Sequence, residues 1–176
     1  MSGQPERIVY RYFAGLAENT FQTQLGVVDP DLIDYISGLL VRFIRSDTVH
    51  RIRSVTGRPL MTVTEMAAEA AERLGNARRE IHRHIGDFTL FWAGVFPEAL
   101  RQHTPVGDQF EDYCKQGKRS YHLAAQIEPT DETQPDSLVL VQLSDRFELC
   151  CYGLREVRRQ WEEGDENLPQ GVILFN

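Results

Sequence analysis

Three polar residues at helical spacing are the first candidates for chemistry in this chain of 176 residues. Glu80, His84 and Asp87 follow one another at i, i+4 and i+7, so one side of a helix could present all three to a metal ion or a ligand. A metal site would need further donors from other helices, which His50 and His122 could supply. Neither Glu-x-x-His nor His-Glu-x-x-His occurs, so the signatures of di-iron bundles and zinc hydrolases are missing. We favour the alternative in which Glu80 pairs with an arginine and His84 makes one buried hydrogen bond.

Asp87 is the polar residue of this group that we expect closest to the core. It follows Gly86 and precedes Phe88, within the most aromatic part of the chain. A carboxylate in such a place needs hydrogen-bond donors, which an arginine or the hydroxyl of Tyr121 could provide. We interpret Asp87 as structural and keep ligand binding by His84, Asp87 and Tyr121 as the alternative.

The segment around Gly75 resembles a helix-turn-helix motif in its spacing. Ala71, Gly75 and Ile81 occupy the positions of a small residue, a turn glycine and an apolar anchor. Three arginines would then lie on the recognition helix: Arg78, Arg79 and Arg83. Against DNA binding, His84 stands where a second apolar anchor belongs, and the proposed recognition helix continues into the most hydrophobic part of the chain. We therefore expect a solvated, arginine-rich helical face, with a DNA-binding regulator as an alternative.

A later segment brings a thiol, two cations and an imidazole close together in sequence. Lys118 and Arg119 could lower the pKa of the Cys114 thiol. Cys114 and His122 are, however, just over two helical turns apart, and they would meet only if Gly117 bent the helix. We interpret Cys114 as a buried filler. The chain contains no GxSxG, phosphate-binding glycine loop or dinucleotide fingerprint.

The composition is that of an ordinary folded protein. Hydrophobic residues make up 41% and charged residues 26% of the chain, which is enough apolar material for one domain with a substantial core. The net charge of −7 argues against a general affinity for nucleic acids or anionic membranes.

The cysteines and the N-terminus both favour a cytoplasmic location. Cys114, Cys150 and Cys151 are odd in number and form no CxxC, so they predict neither a disulfide framework nor a structural zinc site. Residues 1–6 lack the basic and apolar regions of a signal peptide.

The element that must position the candidate residues is a helix over residues 80–96. Its apolar face is wide, which is typical of a helix surrounded by others, and it consists of Ile81, Ile85, Phe88, Leu90, Phe91, Trp92, Val95 and Phe96. A second stripe of small residues would let another backbone come close, and it consists of Gly86, Thr89, Ala93 and Gly94. The run is too short and too charged to span a bilayer, and Pro97 should end the helix.

The remaining pattern is also helical. We predict further helices over residues 6–25, 30–45, 64–74, 108–124 and 137–161. Asp29 and Pro30 are typical of a helix start, and Thr62 or Thr64 can cap the helix that follows. The sequence leaves open whether the 64–74 and 76–96 helices are continuous.

Two stretches are expected to be extended. The acidic run at 128–137 is low in hydrophobicity and predicts an exposed, mobile loop inside a single domain over 1–176. The tail at 171–176 is apolar and predicts packing into a groove or against a partner chain.

Three segments resemble a group of helical bacterial proteins of uncharacterised function. They are residues 25–30, 84–98 and 117–121, and the resemblance is expected to extend over most of the chain. It implies an all-α fold and brings no activity, cofactor or partner with it.

The sequence as a whole predicts an all-α bundle of about five or six helices around the 80–96 helix. The leading functional hypothesis is a non-catalytic, cytoplasmic interaction or small-ligand-binding domain that self-associates through helix faces or the tail. A metal-dependent enzyme using Glu80, His84 and Asp87 is the competing hypothesis, and no specific cofactor is predicted.

Overall fold

The computed structural model describes residues 3–44, 62–101 and 109–164, and this part of the chain is helical without strands. The side chains of residues 3–6, 44 and 101 are outside the description. Helix α1 continues into a π-helical turn over Asn19–Gln24. The α helices are α1 (Gly3–Glu18), α2 (Pro30–Ile44), α3 (Val63–Glu72), α4 (Gly75–Val95), α5 (Pro97–Arg101), α6 (Gln109–Ala125), α7 (Ser137–Asp145) and α8 (Phe147–Glu163). The predicted all-α class is therefore confirmed, with more and shorter helices than expected.

Helix α4 is the centre of the bundle. It packs against α2, α3, α5, α6 and α8. Most of the predicted apolar face is buried, and only Trp92 and Phe96 are half-buried. The helix ends at Val95 because Phe96, which precedes a proline, leaves the helical conformation.

Two predicted helix starts are present as expected. The carboxylate of Asp29 accepts hydrogen bonds from the backbone N–H groups of Asp31 and Leu32, at 3.1 and 3.2 Å. Thr62 caps α3 in a reciprocal capping box with Glu65.

Three helices end or begin at places that periodicity did not indicate. The region around Asn19 forms a π-helical turn, and it directs both Thr20 and Phe21 toward α8. Helices α3 and α4 are separate, joined by two residues before Gly75, whose φ of +56° is left-handed. The long helix predicted from Ser137 is broken at Arg146 into α7 and α8.

The break at Arg146 resets the helical register. In one unbroken helix from Ser137, Leu138 would be predicted to face the core, but it is 62% exposed, while Val139, Leu140 and Leu143 form the buried side of α7. Helix α6, in contrast, runs continuously through Gly117, where a bend had been considered.

Glycines allow the neighbours of α4 to approach closely. A Cβ placed on Gly86 would lie 2.6 Å from ring atoms of Tyr121 on α6, and one on Gly94 would lie 2.8 Å from Leu154 on α8. Real Cβ atoms essentially never come within 3.0 Å of other heavy atoms, so a larger residue at either position would have to displace its neighbour. The predicted stripe of small residues therefore allows both α6 and α8 to pack closely on α4.

We expect Gly86→Ala to lower the free energy of unfolding by about 1–3 kcal/mol, because the new methyl group must displace the buried ring of Tyr121. The matched control is Gly15→Ala on α1, where nothing lies within 4 Å of the new Cβ. There alanine should stabilise by up to about 1 kcal/mol through helix propensity alone. Urea denaturation measures both changes, and a stabilising Gly86→Ala would contradict the packing described here.

The acidic loop is mostly exposed, and it is tied to itself and to α4. Asp131 accepts a hydrogen bond from the backbone N–H of Thr133 at 2.9 Å, and the side chains of Thr130 and Gln134 are hydrogen-bonded at 3.1 Å. The predicted mobility of this loop stays a prediction. The predictions for the apolar tail at 171–176 and for His50 lie outside the described residues.

None of the helices in the described ranges combines the length and the apolar character needed to cross a membrane.

Candidate functional site

A buried carboxylate, that of Asp87, lies where three helices meet. Its Oδ1 atom accepts hydrogen bonds from the hydroxyls of Tyr35 on α2, at 2.6 Å, and Tyr121 on α6, at 2.7 Å. Its Oδ2 atom accepts one from Arg42 at 3.1 Å, and a nitrogen of Arg83 lies 4.0 Å away. Asp87 is 3% exposed, so this carboxylate depends on protein donors. We call these five residues the Asp87 cluster.

Helical spacing explains how the cluster is assembled. Tyr35 and Arg42 are two turns apart on α2 and therefore lie on the same side of that helix. Arg83 precedes Asp87 by one turn on α4. The close approach of α6 at Gly86, next to Asp87, brings Tyr121 within reach of the carboxylate.

The electrostatics of the cluster favour neutral tyrosines. Burial raises the pKa of Tyr121 well above its ordinary value, and the negative charge of Asp87 raises it further. The same two causes raise the pKa of Tyr35. The guanidinium of Arg42 also lies over the ring of Tyr35, 5.5 Å from its centroid. Phenols whose pKa is raised in this way hold their protons, so the cluster fixes helices and does not transfer protons readily.

The structure separates the three residues of the predicted metal ridge. Glu80 forms an ion pair with Arg83 at 2.6 Å, as in the structural alternative. His84 is buried against the ring of Phe43, with centroids 5.7 Å apart. Within the described ranges no group of three or more His, Cys, Asp or Glu side chains is arranged to hold a metal ion.

Of the predicted ligand-binding residues, Asp87 and Tyr121 come together and His84 does not join them. The hydrogen bond expected from Tyr121 to Asp87 is present. Tyr35 and Arg42 were missed, because the α2 pattern identified only the apolar side of that helix. The available signal was the seven-residue spacing of a tyrosine and an arginine beside that apolar side.

The arginines of the predicted recognition helix do not form a solvated face. Arg79 is fully buried and donates to the backbone carbonyls of Ile127, at 2.8 Å, and Pro135, at 2.6 Å. The acidic loop folds back over the start of α4 to provide these acceptors, which the sequence did not indicate. Arg83 is also turned inward, with a side chain 14% exposed, while Ala71 is exposed and not packed as the motif requires. The expectation of a solvated arginine face is therefore wrong for Arg79 and Arg83.

The thiol of Cys114 and the imidazole of His122, both on α6, do not come together. Cys114 is buried and lies within hydrogen-bond reach of Cys151 on α8. His122 is exposed, and its ring lies 3.0 Å from the side-chain nitrogen of Gln126. Lys118 is paired with Glu148 at 2.5 Å. Burial raises the pKa of the Cys150 thiol to about 12, so this thiol is a filler and not an activated nucleophile. Cys114 and Cys151 are buried as well.

No family model, curated protein or solved structure matches the chain. The resemblance to helical bacterial proteins therefore stays a prediction.

Proposed function

We propose that this protein is a non-catalytic interaction domain that acts by binding a second copy of itself. Two features support the proposal. The Asp87 cluster uses its polar atoms for protein contacts, which leaves the most deeply buried carboxylate little capacity to bind a substrate. The surface, in turn, presents large apolar side chains on one edge of the bundle.

The observation that carries the proposal is the exposure of Val28 and Leu138, at 83% and 62%. Both lie at the starts of packed helices, α2 and α7. Asp29, next to Val28, lies close to the side chain of Gln142, which follows Leu138 by one helical turn. The two apolar side chains therefore belong to one edge, which we call the α2–α7 edge.

The charges around the α2–α7 edge suit contact with an identical edge. Asp31 and Asp136 are exposed acidic residues at the starts of its two helices. Arg146 is exposed at the other end of α7, and its charge acts on Asp29. A two-fold symmetric interface sets a surface against its own copy, so a rim with both signs of charge can pair with itself.

The proposal is tested by measuring association with sedimentation equilibrium or light scattering over a range of concentrations. We expect the double variant Val28→Glu and Leu138→Glu to weaken association at least about tenfold, because each glutamate would place an unpaired charge in the interface. The matched control is Leu74→Glu, whose side chain is also 83% exposed but lies between α3 and α4. A protein that is monomeric at all concentrations, or a control as damaging as the double variant, would contradict the proposal.

We place this function in the cytoplasm. Cys114, Cys150 and Cys151 are all unbridged and buried, which suits a reducing compartment. No observation in the described part of the chain favours the metal-dependent enzyme or the DNA-binding regulator over this proposal.

A further inference from the structure

His82 is a buried histidine whose ring makes no hydrogen bond in the described part of the protein. The residue is 7% exposed, and solvent does not reach either ring nitrogen. An imidazole must carry at least one N–H donor, and a buried donor without an acceptor costs free energy. Buried polar groups with no partner are rare in folded proteins and call for an explanation.

Two arginines lie close enough to His82 for their charges to act on its ring. Arg78 precedes His82 by one turn on α4, so both side chains lie on the same side of that helix. Arg119 is an exposed residue of α6, which runs antiparallel to α4, since Gly86 contacts Tyr121 and Thr89 contacts Gly117. Among the described residues, neither arginine forms an ion pair or a hydrogen bond.

The chain carries a net charge of −7, and five described arginines of the bundle are paired with carboxylates: Arg42, Arg73, Arg83, Arg158 and Arg159. Among the acidic residues of neighbouring turns, Glu69 pairs with Arg73 and Glu80 pairs with Arg83. The surroundings of His82 are therefore locally positive in an acidic protein.

The positive surroundings act on the histidine itself. Burial lowers the pKa of His82 to about 4, and the charges of Arg78 and Arg119 contribute to the decrease. The ring is thus held neutral at physiological pH. A negative ligand beside the ring would oppose the effects of both arginine charges on the pKa of His82.

We propose that Arg78, His82 and Arg119 form a binding site for a small oxyanion, such as phosphate or the phosphate group of a small molecule. The oxygens of the ligand would accept hydrogen bonds from the ring N–H of His82 and from the two guanidinium groups. Because solvent does not reach either ring nitrogen, the anion reaches the ring only after neighbouring side chains move. This inference goes beyond the proposed self-association and does not depend on it.

The test uses the whole protein labelled with ¹⁵N in its histidine rings and titrated with sodium sulfate, at constant ionic strength against sodium chloride. Sulfate keeps its charge over the whole pH range of the experiment, so any pH dependence belongs to the protein. We expect the His82 ring signals, assigned with His82→Gln, to shift saturably. The pKa of His82 should rise by at least about one unit, because an anion that binds the protonated ring better must favour protonation. Affinity for sulfate should accordingly weaken as the pH rises from 5 to 7.5.

Variants then identify the site. Arg78→Gln and Arg119→Gln should each weaken binding at least about tenfold, since each removes a charge-assisted hydrogen bond. The matched control, Arg155→Gln, removes an exposed arginine of α8 that has no ion pair with any other described residue, and it should leave the affinity unchanged. Far-UV circular dichroism checks that each variant is folded. The pKa measurement on the unaltered chain tests the proposal even if a variant fails to fold.

Three results would overturn the proposal. One is the absence of a saturable His82 shift at sulfate concentrations up to 100 mM. Another is an affinity for sulfate that is the same in Arg119→Gln as in the control Arg155→Gln. The third is a much tighter, strongly salt-dependent binding of a short DNA duplex that is lost in Arg78→Gln, which would replace the small anion by nucleic acid. Inorganic phosphate, tested in parallel at pH 7, should bind at the same place as sulfate.

Discussion

Replacing Asp87 by alanine is expected to lower the free energy of unfolding by about 3–5 kcal/mol, the range for removing one partner of a buried ion pair. The substitution leaves the buried hydroxyl of Tyr121 without its acceptor. It also leaves the hydroxyl of Tyr35 and the guanidinium of Arg42 without theirs. Because small domains are stable by only about 5–15 kcal/mol, this loss is a large part of the total. Chemical denaturation in urea gives the measurement.

Two controls show whether the loss comes from the cluster. Asp87→Asn keeps the shape of the side chain and one oxygen acceptor. It should therefore lower the free energy of unfolding less than Asp87→Ala and preserve a measurable folded state. Glu148→Ala removes a carboxylate that is paired only at the surface, with Lys118, and should change stability by less than about 1 kcal/mol. An Asp87→Ala variant as stable as the Glu148→Ala variant would show that the cluster does not hold the helices together.

The second large effect is a loss of stability in acid caused by His82. The pKa of this histidine is about 4 in the folded protein, mainly because of burial, and about 6.5 when the chain is unfolded. Since the folded pKa is lowered, protons bind preferentially to the unfolded chain. Stability from this group is therefore complete above about pH 6.5 and is lost as the pH falls toward 4. Between pH 7.5 and 4.5 the contribution amounts to about 2–3 kcal/mol.

The contribution of His82 is isolated by comparison with His82→Leu, which has no titrating group at this position. The difference in unfolding free energy between pH 7.5 and 4.5 should be smaller in this variant than in the unaltered protein, by about 2–3 kcal/mol. His122→Gln, at an exposed position, should leave the pH dependence as it is. If the two variants gave the same pH profile, the ring of His82 would have to be solvated or hydrogen-bonded in the folded protein.

The local features of the fold could be predicted because local chemistry determines them. Asp29 followed by Pro30 indicates a helix start, and the side chain of Asp29 satisfies two of the backbone N–H groups left free there. The end of α4 before Pro97 follows from the restricted conformation of the preceding residue. A carboxylate next to Phe88 had to find donors, and Tyr121 was among the residues that could supply them.

What could not be predicted depends on contacts between distant parts of the chain. Arg79 has the sequence context of a surface residue, and it is buried only because Ile127 and Pro135, about fifty residues later, offer their carbonyls. Tyr35 and Arg42 lie more than forty residues from Asp87. Apolar periodicity also passes through Arg146 without interruption, so it could not place the break between α7 and α8.

The central claim is that the polar groups in the middle of α4 are part of a closed interior. Native-state hydrogen exchange of the backbone amides from Ile85 to Phe91 tests it most directly, because these amides belong to the fully buried stretch of α4 that carries Asp87. A closed interior predicts that they exchange only through global unfolding, with an exchange free energy equal to that from urea denaturation. Exchange of these amides at a free energy several kcal/mol below the global value would show that water enters beside Asp87, and a binding or chemical role for that carboxylate would then replace the structural one.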